Sequence, residues 1–276
     1  MFFVVGAGKA GTTWLHDYLS SHDQVSCGPT KEYSYFNYFW RSGGDGKRPF
    51  AWWNTCLAQM SLARRIGAAK GYVGSLIYTL RNPLDYKETL RGKDPLTRAF
   101  GDVSPRYATL GAEAFAEMKS MHPRTKFVFV MRDPVDRLWS AAQMKLRNPR
   151  YKRRAAKADF LMTQLDDKLV FESMNYPRTV EALFQSVPED DIIIMFYETM
   201  FEQAEIDRLC SELGIEAREA QFEKRVYAET KGEMPVSWAR AMYLELKHMY
   251  QFVEQRFPAA IPDYWKHKAN DYERAV

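Results

Sequence analysis

Residues 2–14 read Phe2-Phe3-Val4-Val5-Gly6-Ala7-Gly8-Lys9-Ala10-Gly11-Thr12-Thr13-Trp14. An apolar run comes first, then a glycine-rich turn, then a helix-like segment over residues 12–21. That order predicts a buried strand, a loop and a helix. Glycines let the main chain turn sharply with its N–H groups inward, where no side chain blocks an anion. A helix N-terminus adds free N–H groups and partial positive charge. Lys9, the hydroxyls of Thr12 and Thr13, and the loop main chain through Ala10, Gly11 and Trp14 complete a phosphate cradle.

Strand-like and helix-like segments keep alternating downstream. Strands are expected at residues 2–5, 24–27, 99–103, 126–131 and 191–196. Helices are expected at 12–21, 51–66, 108–121, 133–145, 160–171, 177–185, 200–213 and 236–257. Asp133 and Pro134 suit the N-cap and first helical position of one of them. Residues 30–40 are rich in aromatics and fit a loop or one helical turn; 41–48 fit a flexible loop. Residues 67–98 hold several breakers (Gly71, Gly74, Pro83, Gly92, Pro95) and stay unassigned. The alternation predicts an α/β fold, one domain over 1–276, with a central, mostly parallel sheet flanked by helices. The loop after the first strand makes it a P-loop-like nucleotide-binding fold.

Bulk properties narrow the field. At 276 residues, 46% hydrophobic and 14% aromatic, the chain supports a sizeable core. No repeat, low-complexity tract or linker divides it. A formal charge of +4 is too small to argue for a nucleic-acid partner. Cys27, Cys56 and Cys210 lie far apart, which argues against a zinc site or disulfide framework and suits a reducing compartment. No stretch approaches the roughly 20 apolar residues of a membrane span. No signal peptide precedes the first strand, so the expected location is the cytoplasm.

Three chemistries compete for the loop. Gly6, Gly8 and Gly11 satisfy G-x-G-x-x-G, the dinucleotide pattern, which needs an acidic residue ending a second strand. Glu32 is ill placed for that, and a pyrophosphate held by main chain needs no Lys9. A triphosphatase loop, G-x-x-x-x-G-K-[ST], needs lysine where Thr12 stands. The third possibility pairs the loop with Arg132-Asp133-Pro134-Val135-Asp136-Arg137-Leu138-Trp139-Ser140. Arg132 offers a planar fork of donors suited to phosphate. Ser140 lies about two helical turns beyond the cap, on the same face. Two phosphate sites on one sheet edge suit a nucleotide phosphorylated at both its 5′ and 3′ ends.

Lys-x-Gly-Thr-Thr-Trp after the first strand, with Arg-Asp-Pro-x-x-Arg-x-x-Ser after a central strand, closely resembles the sulfotransferases. These use 3′-phosphoadenosine 5′-phosphosulfate (PAPS). The resemblance implies that the first motif binds the 5′-phosphosulfate and the second the 3′-phosphate. Lys31-Glu32-Tyr33-Ser34-Tyr35-Phe36 looks like the Glu-x-x-Phe-Phe region of the carbohydrate (heparan sulfate type) sulfotransferases and their bacterial relatives. Gly101-Asp102-Val103-Ser104-Pro105-Arg106-Tyr107 looks like their Glu-Lys-Ser-Pro-x-Tyr segment. Lys231-Gly232, after Arg225 and Tyr227, resembles their C-terminal nucleotide-binding loop. The likeness runs to about residue 235, with one departure: Val103 stands where some of these enzymes carry a site lysine, so that role is either missing here or supplied elsewhere, with Lys31 the candidate.

In the expected mechanism an acceptor hydroxyl attacks the sulfuryl group in line while charge grows on the leaving 5′-phosphate. Lys9 meets that charge. Glu32 takes the hydroxyl proton, although it also fits a plain surface ion pair with Lys31. His16 and His22 suit the role less, and no metal is expected. The acceptor is expected to be a carbohydrate or another small molecule, and the basic run at 145–157 fits an acidic one. A small-molecule kinase and a non-catalytic nucleotide-binding protein are the alternatives; the first predicts magnesium-dependent ATP binding, the second binding without turnover.

Overall fold

The computed structural model describes residues 1–29, 31–37, 83–146, 172, 174–223 and 233–274. Strand β1 (Phe2–Gly6) passes through the glycine turn into α1 (Thr12–Ser20), and the chain continues to a short β2 (Val25–Ser26). Helix α2 (Pro83–Arg91) precedes β3 (Ala99–Val103). A 3₁₀ turn (Pro105–Thr109) and α3 (Ala112–Ser120) lead to β4 (Lys126–Met131). Then come α4 (Pro134–Leu146), α5 (Tyr176–Ser186) and β5 (Ile192–Phe196). Three helices close the chain, α6 (Gln203–Leu213), α7 (Val236–Arg256) and α8 (Asp263–Arg274).

The strands form one sheet in the order β2-β3-β1-β4-β5, parallel throughout. Val4 stands beside Val103 on one side and Val128 on the other. Strands covered on both faces need apolar residues at every position rather than at alternate ones. Phe2–Gly6 and Phe127–Met131 are accordingly buried without a break. The Phe3 ring meets Phe36, Tyr107 and Phe127 within 6.2 Å.

From β1 the chain proceeds toward β2 and β3; from β4 it proceeds the opposite way, toward β5. The connections therefore part between the carboxyl ends of β1 and β4. Open parallel sheets bind their ligands in that crevice.

The helix expected over 108–121 is split. Leu110 and Gly111 are extended between the 3₁₀ turn and α3. The helix expected from residue 200 starts at Gln203, because a turn closed by Met200 N–H on the Phe196 carbonyl (2.8 Å) precedes it. Helix α2 falls in the stretch the sequence left unassigned, and α8 in one it passed over. Residues 35–37 are helical, and the rest of the aromatic stretch beyond them lies outside the described residues. The loop at 41–48, the helices expected at 51–66 and 160–171, the basic run beyond Leu146, and Lys231 with Gly232 lie outside the described residues. No helix among the described residues is long and apolar enough to cross a membrane.

Candidate active site

The cradle begins where β1 ends. A side-chain carbon on Gly6 would come within 2.9 Å of both the Ala108 methyl and the Phe129 ring, so only glycine lets the strand close down there. The Ala7 N–H donates to the Val130 carbonyl at 2.7 Å, which pins the loop's first residue to β4. Lys9 and Gly11 both take left-handed backbone, with φ of 71° and 77°. Gly11 opens α1 without a side-chain cap. The first-turn N–H groups therefore have no partner of their own element, as an anion site requires. Thr12 is buried, and Thr13 Oγ1 accepts from Lys31 Nζ at 2.6 Å. The Trp14 ring stacks against Tyr18 and Phe222 and belongs to the core, so only its main chain is free to serve the cradle.

The second motif meets the first at the crevice. Arg132 Nη1 donates to the Lys9 carbonyl at 3.1 Å, and its guanidinium lies 4.3 Å from the Tyr197 ring centroid. The Tyr176 hydroxyl donates to the Arg132 carbonyl at 2.7 Å. Asp133 is the expected N-cap: its Oδ1 accepts the Asp136 N–H at 2.9 Å. It is also wholly buried, with Oδ2 accepting from Tyr250 at 2.8 Å and its own N–H donating to Glu198 Oε1 at 2.9 Å. Burial, followed by the neighbouring Asp136 charge, pushes the Asp133 carboxyl up to about 7. Arg137 is buried behind the loop, its Nη2 3.8 Å from where a Gly8 side chain would start. Burial draws its guanidinium down to about 10, which leaves it charged at neutral pH. Ser140 is partly exposed on α4.

The third segment carries Glu32. Its carboxylate is half-exposed and lies 3.2 Å from Lys31 Nζ. Through Lys31, Glu32 is therefore tied to Thr13 in the cradle. Tyr33, Tyr35 and Phe36 are buried, so the aromatic run is core packing around an exposed acid. Val103 is buried. His16 lies 3.2 Å from Asp17, and His22 Nε2 is 2.9 Å from the Glu216 carbonyl; both are occupied away from the cradle.

The chain matches the sulfotransferase family over residues 2–219. It is a member of that family. Its structure is similar to that of a sulfotransferase from Alicyclobacillus acidocaldarius, at 20% identity over 96% of this chain and 98% of that one, with a TM-score of 0.63. Weaker likenesses join it to two sulfotransferase domains. One is from the Synechococcus PCC 7002 olefin synthase (14% identity, 100% of this chain and 95% of that one, TM-score 0.45). The other is from the curacin biosynthetic pathway (13%, 87% and 81%, TM-score 0.44). No curated protein sequence is significantly similar to it.

Residues that the sequence did not single out as candidates also meet at this edge of the sheet. Tyr197 lies under Arg132, and Glu198 holds the Asp133 main chain. Both follow β5 directly, at the same sheet edge as the two motifs, and that position was the available signal. Asp102 is fully buried in β3 and accepts from Tyr86, Ser104 and Tyr107. An aspartate inside an apolar strand was its signal; Tyr86, on a helix the sequence did not reveal, was not visible.

Proposed function

We propose that the chain transfers a sulfuryl group from PAPS to the hydroxyl of a carbohydrate or another small molecule. The observation that carries this is the Arg132 guanidinium of the second motif bonding the main-chain carbonyl of Lys9 in the first, in the crevice between β1 and β4. Lys31 reaches Thr13 in the first turn of α1, and Arg137 lies beside Gly8. Cations from separate segments around one uncapped helix start suit a nucleotide phosphorylated at both ends. In this assignment the loop N–H groups of Ala10, Gly11 and Trp14, with Thr12 and Thr13, hold the 5′-phosphate. Arg132 and Ser140 hold the 3′-phosphate, and Lys231 and Gly232 complete the nucleotide site.

Glu32 takes the proton of the acceptor hydroxyl as its oxygen forms a bond to sulfur. The bond from sulfur to the 5′-phosphate oxygen breaks, and 3′-phosphoadenosine 5′-phosphate (PAP) leaves. Lys9 stabilises the charge that grows on that oxygen. Lys31, within reach of both Thr13 and Glu32, supplies the cation that Val103 does not. The step needs no metal, and the buried thiols Cys27 and Cys210 suit a cytoplasmic setting.

The test is transfer of radiolabelled sulfate from PAPS to a panel of glycans, phenols and simple alcohols, beside melting curves with PAP, ATP–magnesium and NAD. A ligand that binds only the folded state raises the melting temperature by mass action. PAP is expected to stabilise the protein and labelled product to form. Stabilisation by ATP–magnesium alone would favour a kinase. Tight PAP binding without transfer to any acceptor would favour a non-catalytic nucleotide-binding protein.

A further inference from the structure

We propose that Asp102 and Ser104 are a positioning pair that holds Glu32 in its working place; this rests on Glu32 being the base. Glu32 and Ser34 have φ of 59° and 50°. Residues with side chains rarely take that conformation, and they keep it only where their surroundings enforce it. The enforcement comes from the carboxyl end of β3. Ser104, fully buried, gives its one hydroxyl proton to Asp102 Oδ1 at 2.7 Å. Its oxygen is then turned to accept the Ser34 N–H at 2.9 Å. Asp102 also bonds the Tyr33 main chain. Two successive N–H groups just after Glu32 are thus fixed from one strand end.

Asp102 is itself immobilised. Its Oδ2 accepts from Tyr86 at 2.8 Å and Tyr107 at 2.6 Å. Tyr86 stacks on Tyr35 with ring centroids 4.4 Å apart and meets the edge of Tyr33 at 5.8 Å. On the other side of Glu32, Lys31 reaches Thr13 in the cradle. The segment is clamped before and after Glu32, and the Glu32 carboxylate is left half-exposed between the clamps. Asp102 accepts hydrogen bonds from every side and lies wholly out of solvent, so it acts through the segment and not on a substrate.

The test compares wild type, Ser104→Ala and Asp102→Asn in sulfuryl transfer, with PAP affinity measured by calorimetry. Ser104→Ala is expected to lower kcat about ten- to a hundredfold, as a base displaced by about 1 Å would. The KM for PAPS and the Kd for PAP should stay within about twofold. Joined to Glu32→Gln, Ser104→Ala should add no further loss, because both act through one group. Hydrogen exchange of peptide 31–37 should accelerate in Ser104→Ala while that of β4 does not. Unchanged exchange, wild-type kcat in Ser104→Ala, or losses that multiply in the double variant would each overturn the pair. Faster exchange of 31–37 in a protein whose wild type transfers no sulfate would sink the proposed activity and leave the clamp standing.

Discussion

Lys9 divides its work between two ends of one residue. Its carbonyl is spent on Arg132, and its partly exposed side chain is left near Met144 Sδ, at 3.7 Å, by the mouth of the loop. Truncation should therefore spare the loop and remove the charge. Lys9→Ala is expected to lower kcat by about 10²–10³, the usual cost of losing one donor to a developing oxyanion, with PAP binding still measurable by calorimetry. Glu32→Gln keeps the size of the side chain and removes its basicity. It should lower kcat by about 10²–10⁴, with the melting temperature unchanged because its ion pair with Lys31 is half-exposed. Full activity in Glu32→Gln would remove it as the base. The sequence singled out Lys9 by its place in the glycine turn and Glu32 by the likeness of its segment to that of the carbohydrate sulfotransferases. The Asp102–Ser104 support was not legible there, because its partners Tyr86 and Ser34 are joined to it only by the fold.

At the scale of elements, the strands were read more accurately than the helices. β4 lies where the sequence places it, because a strand buried on both faces is an unbroken apolar run with polar ends; β3 lies where expected too, although Asp102 interrupts its apolar run. α8 is largely exposed, and of its side chains only Trp265 and Tyr272 are buried, so its apolar pattern is thin. Two elements lend themselves to measurement. Gly6→Ala puts a methyl 2.9 Å from Ala108 and Phe129 at the end of β1. It is expected to cost about 1–3 kcal/mol in urea unfolding, the range for overpacking a close-fitted core. The start of α4 sets a pH dependence. The Asp133 carboxyl titrates near 7 when folded, against 3.8 as its ordinary value. An acid raised by folding adds stability that is complete below the unfolded value and is lost as pH rises through the folded one. Melting temperature should accordingly fall between pH 4 and 7. Asp133→Asn keeps an oxygen for the Asp136 N–H and should flatten that fall; an unaltered profile would show that Asp133 does not carry it.

For the whole molecule, the decisive feature is that two distant motifs meet where the sheet connections part. Strand–helix alternation was enough to predict a parallel sheet. The order that puts β1 beside β4 was not in the alternation, since parallel strands can be wound in many sequences. The Arg132–Lys9 contact supplies that information, and the brace behind it comes from the far end of the chain, where Tyr250 and Tyr264 bond Asp133 and Asp136. The central claim is a site for two phosphates on one nucleotide, and calorimetric titration with PAP and with 5′-AMP tests it most directly. PAP should bind at least about tenfold more tightly than 5′-AMP, since one charge-assisted hydrogen bond contributes about 1.5–3 kcal/mol, and Arg132→Ala should erase most of the difference. Equal affinity for PAP and 5′-AMP in the wild type would contradict the account.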